Sequence, residues 1–559
     1  MALTTIRPAT TVPAVSGTVR RITPRRRAAL RPVLAATALA GVLQLFWALF
    51  LATDSGDMAA QYAWAQFASA HPGSAYDLAW YGGMHPVSYS VLAPYLMALF
   101  GVRATAVAAG TLCAALLARL VVRTGIRRPM PPALCGALAL SCNTFSGRTT
   151  FGLGLCFAVA ALLVVHETRG TPRARAVAAG LLGVIATASS PVDGLFLLVV
   201  VPGLFLYGRR TAAVALAAGP PLVVGATTLL FPFYGVQPFP LAEAALVVAV
   251  TGPLALLAPR SWRAVRLGSW VYLVGSLLTL VIPSPVGSNV ERLALLFAGM
   301  VLLAAAMATR GRRAAALWLA FAVALGWQCV QPLTDLQVTV PAAGWTQYAQ
   351  PLVAELGRLG AGRTRVEVVG AASHVEAATL TPYLELARGW NRQLDVARNP
   401  LFYGATLTAG AYYGWLRDWA VGYVVLPRGV AYDEGSVTEA RVVIGGQPWL
   451  RPVWSDRHWQ VFRVAGAVPM ASAPATVLQA GEAQLTVRIP EAGSTLVRVA
   501  WSPWLDLPPG SPGCLAPDGD WTRLTVTAPG TYRIGARYSL PRGSACRTPA
   551  PGTLATRPG

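Results

Sequence analysis

Two aspartates stand three residues apart in the run Asp54-Ser-Gly-Asp57-Met-Ala-Ala-Gln61, directly after the apolar stretch 33–52. That stretch is long enough to cross a hydrocarbon layer of about 30 Å. A carboxylate fixed at the edge of such a layer can take a proton from a hydroxyl held at the same depth. Two of them can serve separately or bind a divalent cation weakly. Further along, Arg148 closes the turn Asn143-Thr-Phe-Ser-Gly-Arg148, and Arg292 follows Pro285-Val-Gly-Ser-Asn289-Val-Glu291. Both sit at the ends of apolar runs, where an unpaired charge is costly and a guanidinium is suited to hold an anionic oxygen. The segment between the aspartates and the next apolar run adds Tyr76, Asp77, Trp80, Tyr81, His85 and Pro86. His85 could orient a hydroxyl-bearing ligand, and Trp80 and Tyr81 could stack on one. A hydrogen-bonding loop histidine and an interfacial aromatic belt are the plainer alternatives.

The elements that position these residues follow from composition. The chain has 559 residues, 55% hydrophobic and 12% charged, with a mean hydropathy of +0.51. That charge density is about half of what a soluble globular chain carries, which excludes a purely cytosolic protein. The formal charge of +22 comes entirely from arginine. Its distribution argues against nucleic acid as a partner: residues 1–331 hold 25 arginines and 7 acids, residues 332–559 hold 20 and 16. Charge concentrated in the apolar half reads as a topology signal.

Eleven apolar segments are predicted as spans, at 33–52, 103–122, 131–144, 150–166, 176–189, 191–208, 212–231, 240–258, 267–283, 292–308 and 314–331. The first follows a basic tail and lacks a small-residue cleavage site, so it reads as an anchor and not a secretory signal. Threaded alternately through a membrane, this count puts 22 of the 25 arginines on one side and six of the seven acids on the other. Arginine marks the cytoplasmic side. The N-terminus is then cytoplasmic and residues 332–559 extracytoplasmic. Arg103, Arg148 and Arg292 are the exceptions. The stretch 87–100 is expected to lie as a helix on the membrane surface, because counting it as a crossing would reverse the arginine pattern.

The resulting organisation is a basic tail (1–32), a polytopic α-helical membrane domain (33–331) with a long first outer loop (53–102), an extracytoplasmic α/β region (332–464), a small β-sandwich (475–547) and a disordered tail (548–559). Within the α/β region an amphipathic stretch is expected at 348–359, a helical pattern at 383–390, and strands at 364–369, 421–426, 440–444 and 459–464. The sandwich strands are expected at 483–489, 495–500, 522–527 and 530–538. Five cysteines fall within or beside spans; Cys514 and Cys546 flank strands in a compartment that would permit a disulfide. Ten of the 17 tryptophans lie in the outer region, where they can pack a sheet core or stack on sugars. The run Tyr432-Asp433-Glu434-Gly435 reads as a turn, with metal binding a distant alternative. There is no lysine, no G-x-S-x-G motif and no metal-spaced histidine pair, so nucleotide-driven and hydrolase chemistry lose support.

In this architecture the chain resembles the GT-C-fold glycosyltransferases, which use polyprenyl-phosphate sugars as donors. The likeness lies in the many spans, the long first outer loop with an acidic pair just past the first helix, here Asp54 and Asp57, the surface helices of that loop and the outer C-terminal domain. The D-x-x-D spacing departs from the adjacent acidic pair of many members. The resemblance implies a multi-pass cell-membrane enzyme that transfers a sugar from a polyprenyl-phosphate donor to a cell-envelope glycan acceptor outside the cytoplasm. Asp57 or Asp54 would activate the acceptor hydroxyl, and attack opposite the phosphate would invert the anomeric centre. Arg292 and Arg148 would steady the phosphate, and His85, Tyr81 and Trp80 would meet substrate. No metal ligands are assigned, a weakly held divalent cation being the one cofactor left open. Two other classes remain: a noncatalytic envelope scaffold that binds glycan or lipid, and a secondary transporter, which would usually carry its ionisable groups at mid-bilayer.

Overall fold

The apolar runs, punctuated by proline and glycine, form a helical bundle in the computed structural model, which describes residues 24–339 and 348–546. Its helices are α1 (Pro24–Phe46), α2 (Asp57–Ala70), α3 (Pro86–Tyr89), α4 (Ala93–Phe100), α5 (Val102–Arg123), α6 (Met130–Phe145), α7 (Thr149–His166), α8 (Pro172–Ser189), α9 (Pro191–Leu206), α10 (Arg210–Leu230), α11 (Leu241–Leu257), α12 (Arg263–Val281), α13 (Gly299–Ala308) and α14 (Gly311–Thr339). Seven helical segments are long and apolar enough to cross a membrane: Ala29–Leu51, Val102–Arg123, Thr149–His166, Arg210–Leu230, Arg263–Val281, Gly287–Ala308 and Gly311–Thr339. α9 and α11 are apolar but shorter. α6 and α8 coincide with the other two expected spans. α6 has only 16 residues, ending in the polar run Ser141–Thr144, and α8 starts with Arg173 and Arg175 in its first turn.

The two ends of the bundle differ chemically. At one end Glu167, just past α7, pairs with Arg119 and Arg123 of α5. Arg175 donates to the carbonyl of Glu167 and Arg209 to that of Val165. These contacts use arginine to satisfy the free carbonyls at helix C-termini. At the other end lie Asp57, Arg148 and the α/β and sandwich domains.

The α/β region is built on a four-stranded sheet of order β1-β2-β4-β3, from β1 (Arg365–Val368), β2 (Val421–Pro427), β3 (Leu450–Ser455) and β4 (Trp459–Val464). β1 and β2 run parallel, the other pairs antiparallel. Helices α15 (Ala349–Arg358), α16 (Val375–Leu380), α17 (Arg392–Arg398), α18 (Ala409–Asp418) and α19 (Val437–Ile444) surround it. Every residue of β1 and β2 is buried, as expected for strands covered on both faces. The C-terminal sandwich comprises β5 (Thr476–Gly481), β6 (Gln484–Ile489), β7 (Gly493–Ala500), β8 (Leu505–Asp506), β9 (Gly513–Asp518), β10 (Trp521–Val526) and β11 (Gly530–Ala536). One sheet has the order β7-β10-β9 and the other β5-β6-β11-β8. Cys514 of β9 is disulfide-bonded to Cys546.

Several expectations need correction. Residues 440–444 belong to helix α19, not a strand: Glu439 at its start is fully buried against Arg388 and Tyr412, and those tertiary bonds override the β-branched run Val442-Val443-Ile444. The stretch 383–390 is not helical. It runs as an extended connection whose backbone bonds to β1 and to the first loop, with Ala387 donating to Val366 and Leu386 to Ala79. The surface stretch 87–100 breaks into α3 and α4, since Ser90 bonds the carbonyl of Ser189 and caps Ala93 ahead of Pro94. α14 continues to Thr339, eight residues past the expected end of the last span. The expected tail 1–32 enters α1 at Pro24; its earlier part, like residues 548–559 and Trp345, lies outside the described residues.

The long loop expected at 53–102 is not open. Its segment from Ser74 to His85 is threaded between the two outer domains: Ala75 bonds to Ala536, Leu78 to Glu482, Ala79 to Leu386 and Gly82 to Ala500. This is why its aromatic residues are core residues of both domains.

Candidate functional site at the junction of bundle and α/β domain

α1 ends in a π-helical turn, Trp47–Leu51, and the chain then turns at Gly56 into α2. Gly56 has φ +64°, and a Cβ there would lie 2.7 Å from Thr339 Cγ2, so only glycine fits. Its N–H donates to the carbonyl of Ser373 at 2.6 Å, and its carbonyl accepts from Trp390 Nε1 at 3.0 Å. The α/β domain thereby fixes the entry to α2 and the position of Asp57, its first residue. One turn later, Gln61 donates to the carbonyl of Gly147 and accepts from the N–H of Thr149 at 3.1 Å. The turn 146–149 is clamped to the same helix, and Arg148 Nε stands 3.8 Å from Asp57 Oδ2.

Asp57 and Arg148 share a cavity of about 190 Å³ with Trp47, Asp335, His374 and Trp390 among its walls. Arg148 is largely covered, 12% exposed, and its Nε has no hydrogen-bond partner; Asp57 is 41% exposed. Asp335 reaches the cavity because α14 runs on beyond the bundle, held there in part by Gln331. The opposite wall belongs to the α/β domain. His374 stacks on the Trp390 indole with ring centroids 3.4 Å apart and planes 8° from parallel. Its Nε2 faces Asp433 Oδ1 at 3.4 Å. Asp433 also binds Arg392 at 2.8 Å and the N–H of Gly435 at 3.0 Å. Burial opposes its charge, but His374, Arg392 and that N–H hold the Asp433 carboxyl well below its ordinary range.

Arg292 does not line the cavity. It lies in the apolar bundle over the ring of Phe151, 5.2 Å from the centroid, within electrostatic range of Arg148, Asp57, Glu291 and Asp193. Among the described residues its side chain makes no ion pair or hydrogen bond.

The remaining expected site residues are elsewhere, and each has a structural task. Asp54 points away to pair with Arg103 at 2.9 Å, both exposed. His85 is buried between Tyr76 and Phe231, with Nδ1 on the carbonyl of Ala75 and Nε2 on Ser502; burial pushes its pKa down to about 4. Trp80 and Tyr81 are fully buried, bonded to Thr381 and to the carbonyl of Gly389. Contact of His85, Trp80 and Tyr81 with substrate is thereby corrected: their surfaces are used in docking the outer domains onto the loop. Among the described residues no group of three or more His, Cys, Asp or Glu side chains is arranged to hold a metal ion.

His374, Trp390 and Asp335 were not singled out from sequence. Asp433 was, but as a turn residue; its partner histidine is 59 positions earlier, and nothing local links them.

Comparison with known proteins reaches only the C-terminal sandwich: residues 472–551 match the model of a domain of unknown function (DUF8823). No curated protein matches the chain.

Proposed function

We propose that the protein is an integral membrane glycosyltransferase, similar in architecture to the GT-C enzymes, that moves a sugar from a polyprenyl-phosphate donor to an acceptor of the cell envelope. The observation that carries this reading is the cavity at the end of the bundle, where Asp57 and Arg148 meet beneath the α/β domain. In this reading all eleven apolar segments cross the bilayer, the arginine-bonded helix ends face the cytoplasm, and the outer domains face away from it.

A sugar joined to a lipid phosphate has its anomeric carbon at headgroup depth, the level at which α2 begins. Asp57 accepts the proton of the acceptor hydroxyl as its oxygen attacks the anomeric carbon. The bond to the phosphate oxygen breaks on the opposite face, inverting the centre, and its electron pair passes to the departing phosphate. Arg148 bonds that phosphate, while Arg292 adds a second positive charge within the low-dielectric bundle. The outer domain holds the acceptor glycan.

The test is turnover by the purified full-length protein in lipid, with a broad panel of polyprenyl-phosphate sugars. One donor should be consumed with inversion. If none is consumed by a correctly folded sample, and Asp57→Asn leaves the cellular phenotype unchanged, a noncatalytic scaffold is the better account.

A further inference from the structure

His374 occupies a position that its surroundings do not require for packing alone. It has φ +53°, in the left-handed region that few side chains enter, and it is the residue that leads into α16. Its backbone N–H bonds Ala371 at 3.0 Å, and its ring is pressed flat on Trp390. A strained backbone that aims an imidazole into a cavity, with a carboxylate behind the ring, is an arrangement that orients a proton-transfer group.

The chain of contacts is continuous from one wall to the other. Asp433 faces His374 Nε2, His374 stacks on Trp390, Trp390 donates to the carbonyl of Gly56, and Gly56 precedes Asp57. Asp433 is itself fixed by Arg392, by the N–H of Gly435 and through its own N–H to Gly370. Among the described residues no hydrogen bond engages Nδ1 of His374, which leaves that nitrogen for a ligand. The charged groups around the ring are Asp433, Arg392 and Glu376 on its own side, and Asp57, Arg148 and Asp335 across the cavity.

We propose that His374, oriented by Asp433, protonates the departing phosphate oxygen, so that the α/β domain completes a reaction centre begun by the bundle. The inference rests on the transfer reaction set out above. As the acceptor oxygen bonds to the anomeric carbon, the carbon–oxygen bond to phosphate breaks and its electron pair passes to that oxygen. The acceptor proton goes to Asp57, and the imidazolium proton goes to the phosphate, which leaves as a singly charged monoester. Asp57 returns its proton through solvent and His374 regains one, closing the cycle with no other reactant.

A residue that merely docks the α/β domain on Gly56 would be insensitive to the leaving group, and this separates the two roles. His374→Asn suits the test, because asparagine tolerates a positive φ; Asp433→Asn is the second variant, keeping shape while removing the charge behind the ring. Turnover is measured with a short-chain prenyl-phosphate sugar and with the same sugar on a nitrophenyl phosphate, a less basic leaving group that depends less on protonation. For His374→Asn we expect a loss of about a hundredfold on the prenyl donor and less than about tenfold on the nitrophenyl donor. Donor KM should be little changed, and the alkaline limb of the wild-type pH profile should be absent. Asp433→Asn should show the same pattern to a smaller degree.

Equal losses on the two donors, or a retained alkaline limb, overturn the inference and leave His374 a docking residue. If Asp57→Asn abolishes turnover while His374→Asn is fully active, the inference falls and the transfer reaction stands. A wild-type protein inert toward every donor overturns both.

Discussion

Arg388 in the α/β domain and the pair Arg148 and Arg292 in the bundle are arginines in apolar surroundings with opposite provision for their charge. Arg388 meets Glu439 at 3.0 Å, Asp395 at 3.1 Å and Glu367 at 3.6 Å, with its guanidinium 3.9 Å over the Phe402 ring. Arg148 has one carboxylate at 3.8 Å and an unsatisfied Nε, and Arg292 has the Phe151 ring at 5.2 Å, with carboxylates only at longer electrostatic range. A covered charge without a close partner costs stability, so a fold that keeps two half-buried cations within electrostatic range of each other forgoes stability there. The difference teaches that the α/β domain uses arginine to hold itself together, whereas the bundle leaves these two arginines sparsely partnered, which is what the proposed phosphate contact requires.

The comparison breaks if the two kinds of arginine respond alike to removal. Arg388→Met strands three carboxylates and should cost about 3–5 kcal/mol in denaturant unfolding followed by tryptophan fluorescence. Arg148→Met should leave stability unchanged or raise it, because it removes a largely covered charge whose one carboxylate partner among the described residues, Asp57, stands 3.8 Å away and is itself 41% exposed. Comparable large losses for both would make Arg148 structural.

The functional half of the comparison is sharpened by Arg292→Ala, which should lower kcat/KM for the donor by about 2–4 kcal/mol while leaving the fold intact. An unchanged kcat/KM would confine Arg292 to helix packing. A subtler distinction lies in pH. Burial pushes the Glu376 carboxyl up to about 8 and the Glu385 carboxyl up to about 7, the latter despite Arg365. A carboxyl raised in the folded state contributes stability that is complete below its unfolded value and is lost as pH climbs through the folded one. The α/β domain should therefore lose stability between pH 5 and pH 8 on account of these groups, and Glu376→Gln should flatten part of that slope. Asp433, held low, acts oppositely and weakens the fold only as the pH falls into the acid range. A Glu376→Gln variant with the same slope as the parent would refute the assignment.

What could be read from the sequence was whatever rests on local pattern. Apolar runs bounded by arginine and proline mark the helices of the bundle, and alternating residues mark β6, β7, β10 and β11. Asp57 and Arg148 were legible because each has an apolar run at its shoulder and no evident topological duty. α19 was not, since its helical state depends on Glu439 reaching Arg388, 51 positions away. The same holds for the far wall of the cavity: His374, Trp390 and Asp433 come together only once the sheet has formed and docked on Gly56. The aromatics of the first loop misled for the converse reason. Trp80 and Tyr81 have the composition of an interfacial belt, but the α/β domain closes over them, an event that no pattern within residues 53–102 announces.

The central claim is that Asp57, and not Asp54, faces the reacting group. It is tested most directly by single-turnover transfer with Asp57→Asn and Asp54→Asn compared side by side, the fold of each checked by its unfolding midpoint. The account predicts a fall of about a hundredfold or more for Asp57→Asn with donor binding retained. Asp54→Asn removes only an exposed ion pair with Arg103 and should stay within about twofold of the parent, in keeping with the small worth of such pairs. Full activity in Asp57→Asn, or a larger loss in Asp54→Asn, would contradict it.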